Sequence, residues 1–136
     1  MIVFRYKKES LEGEEKFILR LVADVYIEDK TGRWIQFHPY IDSGADVTMV
    51  PLSLGRLLGL RADEEKVEEI GGIRGSVPVI YVRKRMKIGS EMMLVKIAWA
   101  LIEEVPPLLG RTDVFDRFEV IFKQRQKLVE FRQPIV

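Results

Sequence analysis

The sequence predicts an all-β domain, a small barrel or sandwich carrying one or two short helices. Apolar residues recur with period two in short runs, turn residues separate those runs, and a length of 136 residues suits one domain spanning 1–136. From residue 17 to residue 27 every odd position is apolar, so this stretch reads as a strand with one face on a core. Asp29-Lys30-Thr31-Gly32 is a turn, and residues 34–41 pair back as a hairpin, irregular at Pro39, which cannot donate to a ladder. Pro51 takes the first position of a short helix through Leu52, Leu54, Leu57 and Leu58, and Gly59 stops it. Residues 67–88 are β-rich but broken by Gly71-Gly72-Ile73-Arg74-Gly75, a tight hairpin tip. Gly89-Ser90 turns the chain into a strand over 91–101. Thr112 caps a second short helix reaching residue 118, and residues 120–122 and 128–131 form a last hairpin. The total is seven or more short strands and two short helices.

Composition removes much chemistry. The chain has no cysteine, which excludes disulfides, thiolate nucleophiles and thiolate metal sites, and its lone His38 excludes a histidine cluster. His38 beside Pro39 reads as an ordinary surface or strand residue. Lys and Arg total 22 against 21 Asp and Glu, so no global field draws the chain to nucleic acid. The basic run Arg83-Lys84-Arg85-Met86-Lys87 alternates on a strand and reads as a solvated face. No loop containing Asp42, Asp46 or Glu14-Glu15 has the repeated oxygen spacing of a calcium site, so neither metal nor other cofactor is expected. Charge begins too early in MIVFRYKKES for a signal peptide, and no run reaches about 18 apolar residues. The expectation is a soluble, cytoplasmic protein without a membrane partner. Carboxylates remain as the reactive groups.

Ile41-Asp42-Ser43-Gly44-Ala45-Asp46-Val47-Thr48 places an acid at the end of a strand. Gly44 lets the backbone fold tightly beneath Asp42, and the Ser43 hydroxyl could bond inward, so backbone and hydroxyl would orient the carboxylate together. By itself Asp-Ser-Gly is also an ordinary turn. Farther along, Val105-Pro106-Pro107-Leu108-Leu109-Gly110-Arg111 suits a buried strand threading beneath that loop.

Taken together, Ile41-Asp42-Ser43-Gly44-Ala45, Gly71-Gly72-Ile73-Arg74-Gly75 and Leu108-Leu109-Gly110-Arg111 resemble the active-site loop, flap tip and closing Gly-Arg element of the retropepsins, the retroviral-type aspartic proteases. The likeness extends over residues 17–122, and the segment from Leu109 to Phe118 is similar to cellular and prokaryotic members. It implies an acid-protease barrel of a single lobe that forms a C2 homodimer and cleaves extended polypeptides. Amide hydrolysis by carboxylates needs one ionised and one protonated group around a water, and this chain has one Asp-Ser-Gly, so the resemblance implies an Asp42 from each subunit. Two carboxylates at bridging range share a proton, which implies bell-shaped pH dependence with an acidic to weakly acidic optimum.

The resemblance also implies roles for the neighbours. Ser43 would bond across the dimer axis, and Gly44 would accept a substrate main-chain contact. Ala45, Asp46 and Val47 would meet the substrate, with Asp46 also in a partly buried bridge to Arg111. Gly71, Gly72 and Ile73 would close over the peptide, with the Ile73 N–H offered to a water, while Ile80 and Leu108 would line side-chain pockets. Arg74, bulkier than the usual flap residue, and Thr112-Asp113 after Arg111 depart from the pattern. The terminal run Phe131-Arg132-Gln133-Pro134-Ile135-Val136 could interleave with a partner only as far as Pro134. Two further readings stay open: a catalytically silent dimerisation or peptide-binding module of the same fold, and an enzyme working only within one partner complex.

Overall fold

The structure, a computed structural model, describes residues 1–134 except 12, 14, 15, 73 and 74. In chain order its strands are β1 (Ile2–Arg5), β2 (Lys7–Ser10), β3 (Phe17–Arg20), β4 (Val25–Glu28), β5 (Trp34–Phe37), β6 (Tyr40–Ile41) and β7 (Thr48–Val50). The helix α1 (Leu52–Leu57) follows, then β8 (Glu68–Gly72), β9 (Gly75–Ile88), β10 (Glu91–Ala100), β11 (Leu108–Leu109), β12 (Glu119–Lys123) and β13 (Leu128–Arg132). A large sheet in the order β5-β4-β9-β10-β7-β11-β6, with β8 on β9, curls into a half-barrel. A second sheet runs β1-β13-β12, and among the described residues β2 and β3 pair with each other alone. Among the described residues no helix is long and apolar enough to cross a membrane.

The predicted patterns hold where both strand neighbours are close in sequence. Asp29 accepts from the amides of Thr31 and Arg33 (2.8 and 2.9 Å), closing the β4–β5 hairpin. The chain breaks at His38-Pro39 between β5 and β6. Pro51 caps α1 from outside, and Gly59 ends it with φ +85°. The helix lies directly on the core: a methyl group on Gly55 would sit 1.9 Å from the Trp99 indole nitrogen, which itself donates to the Leu52 carbonyl. Trp99, Ile97, Val95, Met86, Ile88, Val25 and Ile27 fill the centre of the half-barrel. Phe131 joins the second sheet to it through edge-on contacts with Phe4, Phe115 and Phe118 at centroid distances of 5.4 to 6.0 Å.

Two expectations are corrected. The period-two run 17–27 is two strands, not one: Ala23, Val25 and Ile27 are buried, whereas Phe17 and Leu19 are 66% and 42% exposed, because β3 leaves the large sheet and pairs only with β2. Thr112 caps nothing; its amide donates to the Asp46 carbonyl, Asp113 turns left-handed at φ 67°, and only a 3-10 turn over Phe115–Arg117 forms. Of the terminal run, Phe131 lies between β1 and β12 and Arg132 pairs with Glu119, while Gln133 and Pro134 follow the end of β13. Strands β1 and β2 add to the prediction. Ile73, Arg74, Glu14, Glu15, Ile135 and Val136 lie outside the described residues.

Candidate active site

Asp42 follows the two-residue strand β6, whose neighbours are β11 on one side and the Leu21-Val22 stretch on the other. The Asp42 amide donates to the Leu109 carbonyl (3.1 Å) and the Ile41 amide to the Leu21 carbonyl (2.8 Å), so the backbone entering the loop is pinned on both sides. The loop then turns back on itself, with the Gly44 amide donating to Asp42 Oδ1 (2.9 Å) and the Ala45 amide to the Asp42 carbonyl (3.2 Å). A side chain on Gly44 would begin 3.2 Å from that same carboxylate oxygen, which explains the glycine. The carboxylate is oriented by a backbone donor; among the described residues the Ser43 hydroxyl takes no part, and Ser43 lies exposed on the loop.

Beneath the loop, the Leu-Leu-Gly-Arg element acts as a clamp. The Arg111 and Thr112 amides donate to the carbonyls of Ala45 and Asp46 (both 2.9 Å), and Arg111 Nη1 donates to the Ser43 carbonyl (3.1 Å). Arg111 also pairs with Asp46 as expected, but the bridge is exposed and not partly buried, with the Asp46 side chain 83% accessible. Gly110 passes so close that a methyl group there would lie 2.4 Å from the Val47 carbonyl carbon. Its amide donates to Thr48 Oγ1 (3.1 Å), and Thr48 is fully buried.

A cavity of about 340 Å³ opens between this loop and the β8–β9 hairpin. Of the expected residues it brings together Asp42, Gly44, Ala45, Asp46, Val47, Gly71 and Leu108. Gly72 pairs with Gly75 in the hairpin. Ile80 is placed elsewhere: it is 3% exposed, opposite Trp99 in the core, and its neighbour Tyr81 takes the cavity wall because adjacent strand residues face opposite ways. Met49, Ile70 and Tyr81 line the cavity without having been anticipated, as the buried Thr48 was not. Alternation along β7 and β9 held the signal for Met49 and Tyr81. Burial first, then the carboxylates of Glu68 and Asp46, push the Tyr81 phenol up, so it stays neutral and offers a hydroxyl. A second cavity, about 460 Å³, also reaches Asp42 and is walled by Leu19, Arg20, Tyr40, Pro106 and Leu108. One chain thus presents one fixed carboxylate between two hollows.

No protein-family model matches the chain, and no curated protein matches it. Solved structures do. The EIAV protease complexed with an inhibitor is similar with a TM-score of 0.54 and 22% identity, covering 75% of this chain and 88% of that one. A retropepsin-like aspartic protease from Rickettsia conorii is similar with a TM-score of 0.62 and 16% identity, covering 81% and 88%. Both neighbours are proteases, and at these identities the likeness concerns the path of the chain. By the path of its chain, a curled half-barrel sheet that carries the Asp42 loop, the protein has the retropepsin-like fold.

Proposed function

We propose that the protein is an aspartic endopeptidase that works as a homodimer, with Asp42 of each copy forming a shared dyad. The observation that carries this reading is the holding of Asp42: a carboxylate pinned through Leu109 and Gly44 on the wall of a cavity lined by apolar side chains. An ionised Asp42 takes a proton from water as its oxygen attacks the peptide carbonyl carbon, while the protonated Asp42 of the mate gives its proton to the carbonyl oxygen. Collapse of the tetrahedral species breaks the C–N bond as the proton taken from water passes to the leaving amine and one hydroxyl of the tetrahedral carbon returns a proton to the mate's Asp42, so that the C=O bond reforms. Like charge keeps the pair at one shared proton, and pH dependence is bell-shaped.

The substrate lies extended between the Asp42 loop and the β8–β9 hairpin, which serves as the flap. Val47, Met49, Ile70 and Leu108 favour apolar side chains there. Gly44 and Asp46 contact the peptide backbone, and closure of the hairpin that carries Gly71 and Gly72 excludes water. Ser43 stiffens the loop against its mate across the axis.

The test is Asp42→Asn. Cleavage of a peptide library is expected to fall by at least roughly 10²–10⁴-fold, as when an acid–base group is removed, with the sedimentation mass unchanged. An Asn variant that cleaves like the wild type contradicts the assignment.

A further inference from the structure

Resting on the reading that Asp42 needs a mate, we propose that the β2–β3 hairpin is the arm through which a second copy of this chain docks. Strand β13 offers no edge over Leu128–Phe131, where it is paired on both sides. The hairpin is the opposite case. Among the described residues β2 and β3 pair only with each other, leaving a two-stranded ribbon with both outer edges unpaired, a unit that is marginal alone.

Its two faces differ. Register sets Glu9 opposite Ile18 and Lys7 opposite Arg20 on one face, and this face is fastened to the body. The Tyr40 hydroxyl donates to Glu9 (3.1 Å), the Arg20 guanidinium lies 5.8 Å from the Tyr40 ring, and Lys7 pairs with Asp24. On the other face Phe17 lies opposite Ser10 and Leu19 opposite Lys8, and the two large apolar side chains are 66% and 42% exposed. Polar contacts thus hold the ribbon in place, while on its apolar face Phe17 and Leu19 stay exposed, with the Lys8 ammonium 6.0 Å from the Phe17 ring.

Position decides what covers it. The chain leaves β3 at Arg20 and within two residues borders the strand that ends at Asp42, through Leu21 with Ile41 and Val22 with Tyr40. Leu19 and Arg20 wall the 460 Å³ cavity that reaches Asp42, whose lining includes no residue of the β8–β9 hairpin. Substrate occupies the other hollow, so this hollow is where a mate must approach for the carboxylates to meet. A two-fold axis beside Asp42 brings the same apolar face from both copies together, the self-complementary contact that C2 symmetry requires.

Phe17→Asp with Leu19→Asp in one chain tests this. Both sites are exposed, and circular dichroism checks that the fold survives. Self-association, followed by sedimentation, should weaken by roughly a hundredfold or more, as for loss of central interface anchors, and peptide cleavage should fall in step. Joining two such double-variant copies through a flexible linker should restore cleavage by raising their effective concentration. A double variant that stays dimeric overturns the arm and leaves the dyad reading intact. A monomeric variant not restored by linkage overturns the claim that the arm acts by association. Wild-type protein that cleaves while monomeric at every concentration overturns the dyad reading itself.

Discussion

At Gly110 an added methyl group would lie 2.4 Å from the backbone of Val47, whereas at Gly71, on the wall of the 340 Å³ cavity beside Asp42, it would meet nothing within 4 Å. Both glycines belong to the elements that resemble retropepsins, and they serve opposite ends. Gly110 permits two backbone segments to touch, so that the Asp42 loop and its clamp become one rigid piece. Gly71 leaves space around a hairpin attached to the sheet by β9 alone. The carboxylate is therefore positioned by one wall, and the other has room to approach a bound chain. Glycine in a motif carries no single meaning; what a side chain would strike decides it.

Substitution sharpens this contrast. Gly110→Ala should cause the largest loss of stability, about 1–3 kcal/mol or more from overpacking against backbone, with a fall in cleavage because the Asp42 loop must shift. Gly71→Ala should leave the thermal midpoint nearly unchanged, and equal shifts in the two melting curves would erase the distinction.

Charged contacts give a second, smaller contrast. Glu130 is buried in β13 and accepts from Lys123 Nζ (2.8 Å) and from Arg132 (2.7 and 3.0 Å). The Lys123 hydrogen bond, with Arg132 adding to it against the cost of burial, holds its carboxyl below the ordinary value of 4.5. A depressed folded-state value means that the stability it contributes is complete above about 4.5 and is lost as pH falls through the lower folded value. Glu130→Gln should flatten the drop in melting temperature between neutral and acid pH, and an unchanged drop would remove Glu130 from the account. The smallest effect belongs to Asp46→Asn. With its side chain 83% exposed, the Arg111 bridge should be worth only about 0.2–1 kcal/mol in urea unfolding. A larger loss in cleavage than in stability would show Asp46 acting on substrate.

The parts of the fold legible in the sequence were those whose partners are near. Ala23, Val25 and Ile27 alternate because β4 meets β5 across a short turn, and β9 and β10 meet across Gly89-Ser90. Strand β1 escaped notice because its partner lies at the far end of the chain, Ile2 opposite Phe131, and nothing local marks that pairing. The exposed face of Phe17 and Leu19 had the same period-two pattern as the buried face of Val25 and Ile27; periodicity reports that residues share a face, not that something covers it. The same limit explains Ile80 and Tyr81. Both are large and apolar in character, and only the register with Trp99 and Ala98 tells which one faces the core. The Asp42 loop and its clamp were legible through motif likeness, but Thr48, which accepts the Gly110 amide, was visible only once the backbones met.

The most direct measurement is the separation of the two Asp42 carboxylates in a crystal structure of the wild-type protein bound to a statine-type peptide mimic. The account predicts two copies about one two-fold axis with the nearest carboxylate oxygens about 2.5–3.0 Å apart, close enough to share a proton. A single copy around the mimic, or carboxylates held beyond hydrogen-bonding range with the mimic in place, would contradict it.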